Sequence, residues 1–232
     1  MNYLQLCRRT AHESGTSSFP GTVSGLNGRP LDIANWVQQA WIDIQNDRAE
    51  WLWLEDRFEG TLLAGISTYE ASDFGLTRFR EWKPGKDPET GIANFTVQGA
   101  NEDRAQEAPI YDMTWGRFWR TYDRGANAGR TEKPLVYTVD TQERLRFWPV
   151  PDGSYTVRGL CRRSAQRLTA SDDVPEVHED HHMIIVWKAL LLLAAHDESI
   201  DQPQFWHTNY TNMLGDLQRV ELPRIKVAGP LV

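Results

Sequence analysis

Apolar side chains recur at helical spacing near both ends of the chain. The clearest run lies in residues 33–44, with polar side chains on the opposite side. Its apolar positions are Ile33, Trp36, Val37, Ala40, Trp41 and Ile44. This spacing predicts an amphipathic helix whose apolar face enters a core. An earlier helix is predicted to begin with a capping pair of Asn2 and Gln5 and to end at Gly15.

The last quarter of the chain also has a helical pattern. Asp173 and Glu176 have the spacing of a capping pair, which predicts a helix from there to about His196. This stretch is apolar on nearly every side after His182, as is typical of a buried helix. A further helix is predicted from about residue 201 to Pro223, where proline ends it.

The middle of the chain changes to short, alternating segments that predict strands. A hairpin is expected over residues 59–70, with its turn near Ala64 and Gly65. Further strands are expected at 79–82, 92–97, 135–139, 145–150 and 155–160. Residues 109–122 hold aromatic side chains at helical spacing and predict one short helix.

These elements predict a mainly α fold with a β-rich insertion, which places the chain in the α+β class. A helical bundle is expected to form from residues 1–51 and 166–222. Residues 52–165 are expected to project from it as an inserted β-rich subdomain. Residues 223–232 form an extended apolar tail that is not expected to fold alone.

Composition narrows the class of protein. The chain has 232 residues, of which 40% are hydrophobic, so it is neither disordered nor low in complexity. It carries 25 Lys and Arg against 32 Asp and Glu, an acidic balance unlike that of a basic DNA-binding domain. Ten Trp residues indicate a large aromatic surface, either buried or in contact with partners.

Location follows from other features of the sequence. The two cysteines, Cys7 and Cys161, lie in no metal or redox motif, which favours a reducing compartment. The N-terminal residues lack the apolar region of a signal peptide. The longest apolar stretch, residues 183–195, is too short to span a membrane. We therefore expect a soluble intracellular protein without a membrane contact.

Residues 178–182, HEDHH, match the H-E-x-x-H pattern of zinc peptidases. In that pattern His178 and His182 would bind Zn²⁺ from one helix face, and Glu179 would act as general base. A third ligand is required, and His196 would lie roughly 21 Å from His182 along the helix. We therefore expect a polar helix start without metal, cofactor or catalysis, and keep a zinc-dependent hydrolase as the alternative.

Three other clusters each allow two interpretations. Arg158, Arg162, Arg163 and Arg167 form either a solvated strand end, which we favour, or a surface for DNA or an acidic partner. Residues 51–54, WLWL, form either core packing, which we favour, or a partner-binding patch. The face formed by Trp115 and Trp119 has the same two interpretations.

Several stretches resemble the head-to-tail adaptor (connector) proteins of tailed bacteriophages, which bind beneath the portal. The first is the opening helix, MNYLQLCRRTAHESG, with the Gly/Ser loop after it. The second is DIANWVQQAWIDIQNDRAEWLWL, which runs into FEGTLLAGISTYEAS. The third is LRFWPVPDGSYTVRGLCRRSAQRLTASDDVPEVHEDHHMIIVWKALLLLAA, where strands lead through a Pro-containing link to an apolar helix. Residues 74–130 match least.

The resemblance implies a structural role in the virion and no enzymatic activity. Such a chain would form a ring, commonly a dodecamer, beneath the portal protein ring. It would extend the DNA channel, touch passing dsDNA only transiently, and give tail or nozzle proteins a platform. Its place would be the neck of the virion at the head–tail interface, and the host cytoplasm during assembly.

A ring subunit must contact its neighbours and its partners. We expect subunit contacts at the aromatic faces that include Trp36, Trp41, Trp206 and Tyr210. The apolar tail is expected either to lie back on its own bundle or, as we favour, to dock on a neighbouring copy or on the portal as an extended segment. Its docking side chains would be Ile225, Val227, Leu231 and Val232.

Overall fold

The computed structural model describes residues 1–16, 18–48, 50–87, 90–197 and 203–223. These residues divide between two compact units. Among the described residues, a helical unit combines residues 1–54 with residues 165–223, and a β unit holds residues 55–164. The chain has an α+β fold, as the sequence pattern predicted.

In chain order the described helices are α1 (Tyr3–Glu13), α2 (Arg29–Asp47), α3 (Trp115–Thr121), α4 (Met183–His196) and α5 (Pro203–Glu221). The strands are β1 (Glu55–Leu62), β2 (Thr68–Tyr69), β3 (Phe79–Trp82), β4 (Thr96–Gly99), β5 (Ala108–Pro109), β6 (Tyr111–Asp112), β7 (Val136–Val139), β8 (Leu145–Trp148) and β9 (Tyr155–Arg163). Helix α3 belongs to the β unit and the other four helices belong to the helical unit.

Helix α4 occupies the centre of the helical unit. It packs against α1, α2 and α5, because apolar side chains cover nearly its whole circumference. Its buried side chains are Ile184, Ile185, Val186, Ala189, Leu190 and Leu193. Helix α1 begins with the predicted capping box, in which Asn2 and Gln5 exchange side-chain and backbone hydrogen bonds of 2.9 Å.

The predicted start of the last-quarter helix at Asp173 is wrong. The Asp173 carboxylate accepts hydrogen bonds from the backbone N–H groups of Thr169 and Ala170, at 2.6 and 2.8 Å. The Asp173 side chain thus stabilises a turn that precedes it in the chain, and it does not cap a helix that follows it. The chain reaches α4 only at Met183, after a short 3₁₀ turn over Glu179–His181.

Two glutamine side chains attach this irregular segment to α2. Gln45 is fully buried, and its amide donates to the Gln166 carbonyl at 3.0 Å and accepts from the Gln166 N–H at 2.7 Å. The Gln166 side chain accepts from the Trp41 indole N–H at 3.0 Å and donates to the Val174 carbonyl at 2.9 Å. The pair therefore replaces the strand or helix partners that this backbone lacks.

We predict that Gln45→Leu lowers the free energy of unfolding by about 1–3 kcal/mol, because it leaves the partly buried N–H and C=O of Gln166 without these partners. Chemical denaturation followed by circular dichroism measures the change. Gln39→Leu is the matched control on the same helix, since Gln39 is exposed and its side chain bonds only to Asp43. Equal stabilities of the two variants would contradict the role given to Gln45.

Strand β9 is the centre of the larger sheet. Eight of its nine residues pair with β1 in antiparallel register, from Glu55 opposite Arg162 to Leu62 opposite Tyr155. Its other edge is shared by β4 and β3, and β5 extends the sheet beyond β4. The smaller sheet has the order β2-β8-β7-β6, in which only the β6–β7 pair is parallel.

The inner faces of both sheets contribute to one aromatic core. Phe95 stacks on Tyr137 with 4.4 Å between ring centroids, and Phe58 contacts Phe95 and Trp82 edge to face. Gly159 of β9 faces these rings, and a Cβ there would lie 2.7 Å from Phe58. The core therefore needs glycine at this position in the strand.

The predicted hairpin over residues 59–70 is wrong, although its turn is present. Gly65 has φ +79°, and the chain turns there as expected. However, β1 pairs with β9 and β2 pairs with β8, so the two arms enter different sheets. The number of residues available for pairing accounts for this, because β1 pairs eight residues with β9, whereas β2 is only two residues long.

Most of the other strand predictions are confirmed. The hairpin of residues 135–139 with 145–150 is confirmed as β7 and β8, which pair antiparallel. The strand at 79–82 is confirmed as β3, and the one at 155–160 extends to Arg163 as β9. The strand expected at 92–97 begins later, at Thr96. The aromatic helix predicted within residues 109–122 is confirmed as α3, but it begins only at Trp115, because β5 and β6 occupy the positions up to Asp112.

Candidate functional site

The H-E-x-x-H segment does not form a metal-binding face. His182 is buried, and its Nε2 donates to the Val177 carbonyl at 3.0 Å. Its Nδ1 accepts from the amino group of Met1. Burial lowers the pKa of His182 and keeps the ring neutral. Both ring nitrogens therefore serve structural hydrogen bonds.

His178 lies in a different environment from His182. Its side chain is 63% exposed and lies 3.2 Å from the Asp180 carboxylate. The two histidines do not share a helix face, because α4 begins only after His182. His196 is at the opposite end of α4, beside Trp36. Among the described residues, no group of three His, Cys, Asp or Glu side chains is placed to hold a metal ion.

The two thiols are also poorly suited to nucleophilic chemistry. Cys7 and Cys161 are buried, and burial raises their pKa values to about 12 and about 11. A reactive thiol needs a lowered pKa and access to solvent. Each cysteine instead packs as a small apolar side chain within its own unit.

We predict that added Zn²⁺ neither binds stoichiometrically nor produces peptidase activity, because His182 faces the interior and His178 faces solvent. Isothermal titration with Zn²⁺ and hydrolysis of a fluorogenic peptide library measure both. Glu179→Gln is the comparison variant, since it removes the only base the motif offers. Hydrolysis by the wild type that disappears in this variant would establish the zinc enzyme.

The arginine cluster near the end of β9 is largely neutralised. Arg158 contacts Glu59 at 2.7 Å and Glu107 at 3.5 Å. Arg162 pairs with Glu81, while Arg167 is exposed. Carboxylates of neighbouring strands therefore satisfy most of this charge, which leaves little of it for nucleic acid.

The WLWL segment belongs to the core of the helical unit. Trp51 and Leu54 are buried, and the Trp51 indole N–H donates to the Ile44 carbonyl at 2.9 Å. Trp53 stacks on Trp51 with 4.6 Å between ring centroids. Core packing is thus the correct interpretation, and only Leu52 is exposed.

The aromatic face of α3 is divided between core and surface. Phe118 is buried, and Trp115 stacks on it with 6.3 Å between ring centroids. Trp119 faces outward with 40% of its surface exposed. The guanidinium of Arg124 lies 3.5 Å from the centroid of the Trp119 ring. Helix α3 therefore presents an aromatic and cationic surface to solvent.

The four residues expected at subunit contacts differ in exposure. Trp41 and Trp206 are buried in the core of the helical unit. Trp36 and Tyr210 are half-buried against that core, so part of each ring faces solvent. The four tail residues, Ile225, Val227, Leu231 and Val232, lie outside the described residues.

Exposed apolar side chains occur in both units, most of them at positions that periodicity did not single out. In the helical unit they are Leu31, Leu52, Val174, Phe205 and Val220, and in the β unit Leu63, Ile66, Ile92, Tyr111, Trp119 and Leu135. Most of them lie in loops or at the ends of elements, where no repeat marks the exposed side. As for membranes, none of the helices described is long and apolar enough to cross one.

The comparisons with known proteins agree with the resemblance seen in the sequence. A family model described as "SU10 adaptor protein" matches residues 1–230. No curated protein matches the chain. The chain therefore belongs to the SU10 adaptor family, and this confirms the resemblance to phage head-to-tail adaptors. The family is one of structural proteins of the phage virion, with portal and tail components as partners and the virion neck as location.

Proposed function

We propose that this chain forms a ring beneath the portal of a tailed phage and connects the head to the tail. The observation that carries the proposal is the adaptor-family match over residues 1–230. In this proposal the ring extends the DNA channel, and its distal side is the platform on which tail or nozzle proteins attach. The chain joins the virion neck after folding in the host cytoplasm, and it acts without catalysis.

The helical unit is proposed to act as a bundle that gives the ring its rigid wall. Its centre is suited to this role, because α4 is surrounded by α1, α2 and α5. Of the four aromatic residues expected at subunit contacts, Trp36 and Tyr210 have surface to offer a neighbour. A dodecamer is the copy number that the family resemblance suggests, and closed rings of this kind use one contact repeated around an axis.

The acidic charge of the chain supports a channel through which DNA slides. The formal charge is −7, and residues 1–54 and 165–223 hold fifteen Asp and Glu against seven Lys and Arg. DNA binds tightly where Lys and Arg neutralise phosphates and release counterions. A wall with an excess of carboxylates repels the phosphates, so contact with passing dsDNA stays transient.

We predict that the purified chain adds a ring of density to the portal of its own phage. Negative-stain electron microscopy and analytical ultracentrifugation of the mixture measure the assembly. The control is the portal ring of an unrelated phage, which lacks the matching surface. A chain that stays monomeric with its own portal would contradict the proposal.

The C-terminal tail is proposed to dock on the portal or on a neighbouring copy. It follows the end of α5 and holds four apolar residues, Ile225, Val227, Leu231 and Val232, with two basic ones, Arg224 and Lys226. Extended peptides bind well by adding to a groove or sheet edge. An unattached apolar tail would also reduce solubility, which favours a docked one.

We predict that deleting residues 223–232 leaves the melting temperature within about 2 °C but abolishes joining to the portal, since the tail serves contacts between chains. Replacing the four apolar residues by serine should have the same effect. Arg224→Ala with Lys226→Ala is the control, because it keeps the apolar side chains. A truncated chain that joins the portal normally, or that unfolds, would assign the tail to its own subunit.

A further inference from the structure

The outward face of α3 and the turn after it concentrate unpaired positive charge. Arg117, Arg120 and Arg124 are exposed, and none of them meets a carboxylate within the described part of the chain. Residues 114–130 hold four arginines and one acidic residue, Asp123, in a chain whose overall charge is negative. This short stretch is thus a local reversal of the charge of the protein.

Other arginines of the β unit are used differently. Arg144 and Arg146 both contact the buried carboxylate of Asp140, at 2.8 and 3.3 Å. Arg158 and Arg162 pair with glutamates of neighbouring strands. Ion pairing within the unit is therefore the commoner arrangement of arginine here, and the three arginines of α3 and its turn depart from it, as does Arg57 of β1.

The exposed indole beside these arginines indicates a protein partner. Trp119 is 40% exposed, and Arg124 covers its ring at 3.5 Å. Tryptophan and arginine are enriched at the centres of protein–protein interfaces. The phosphates of a DNA duplex would contact only the guanidinium groups, because phosphates have no apolar surface against which the indole could pack. The combination favours a protein surface that is acidic and partly apolar.

On the helical unit, one short segment combines exposed acidic and apolar side chains. The segment of residues 172–180 exposes the carboxylates of Asp172, Glu179 and Asp180. Val174 lies between them in sequence and is 54% exposed. Three carboxylates with an exposed valine complement three guanidinium groups with an exposed indole, both in charge and in apolar content.

We propose that α3 and the following turn of one copy dock on residues 172–180 of the next copy. This contact rests on the ring assembly proposed above and names its surfaces. It joins two different patches of the same chain, so it is heterologous, the type of contact that generates rings. Desolvated arginine–carboxylate pairs fix the register of neighbours, and the indole and the valine bury the apolar area between them.

Two charge-reversal variants test the contact. The first is Arg117→Glu, Arg120→Glu, Arg124→Glu, and the second is Asp172→Arg, Glu179→Arg, Asp180→Arg. Each should keep the wild-type melting temperature but lose at least tenfold in ring formation on the portal, measured by sedimentation and electron microscopy. A chain carrying all six changes restores opposite charges at every contact and should recover ring formation.

A matched control has the same change of charge at other exposed arginines. Arg8→Glu, Arg57→Glu, Arg167→Glu alters three exposed arginines for which the described residues provide no ion pair. This variant should form rings as the wild type does. Loss of assembly in this control as well would show that net charge is responsible, and would overturn the assignment to α3.

The remaining outcomes separate this contact from the ring itself. A wild type that forms no ring would overturn both proposals. A wild type that forms rings, with a first variant that does so equally well, would overturn only the α3 contact. If that variant assembles but loses binding to a fluorescent 30-base-pair DNA duplex in low salt, the arginines serve nucleic acid and the contact is wrong. Failure of the six-change chain, folded but unassembled, would also contradict the pairing.

Discussion

The burial of helix α4 is the constraint on which the helical unit depends. A helix that is apolar on nearly every side is stable in water only when other elements cover it all round. Helices α1, α2 and α5 provide this cover, and they come from both ends of the chain. The insertion of about half the chain between α2 and α4 is compatible with this core, because the β unit has a separate aromatic core.

The irregular segment that precedes α4 explains why a metalloprotease pattern occurs without the geometry of a metal site among the described residues. Residues 165–182 have no regular secondary structure to satisfy their backbone, apart from one short 3₁₀ turn. Side chains of Gln45, Gln166 and Asp173 bond to it instead. His182 has the same task, since its ring bonds to the Val177 carbonyl. His182 therefore serves as a hydrogen-bond partner of the backbone just before α4 begins. Polar side chains are needed there to satisfy the irregular backbone, independently of any catalytic role.

Periodicity predicted the elements with a strong amphipathic pattern and missed what depends on distant partners. Helix α2 and the β7–β8 hairpin follow from local spacing, and both are present. The pairing of β1 with β9 joins residues about one hundred positions apart, which no local pattern shows. The exposure of Trp119 and the unpaired arginines near it were likewise hidden, because a helical repeat of aromatics does not say which ring lacks a neighbour. The family resemblance rests on hydrophobic patterns over long segments, so it does not depend on the pairing of individual strands.

The position of β9 in the chain has a consequence for synthesis on the ribosome. This strand is the centre of its sheet, yet it is the last strand to be made. Helices α1 and α2 likewise lack their packing partner until α4 has been synthesised. Neither unit can therefore complete its core until most of the chain has emerged. Until then, the apolar faces of α2 and β1 remain uncovered in the nascent polypeptide. Each core can therefore be completed only late in synthesis, the core of the β unit after β9 and that of the helical unit after α4 and α5.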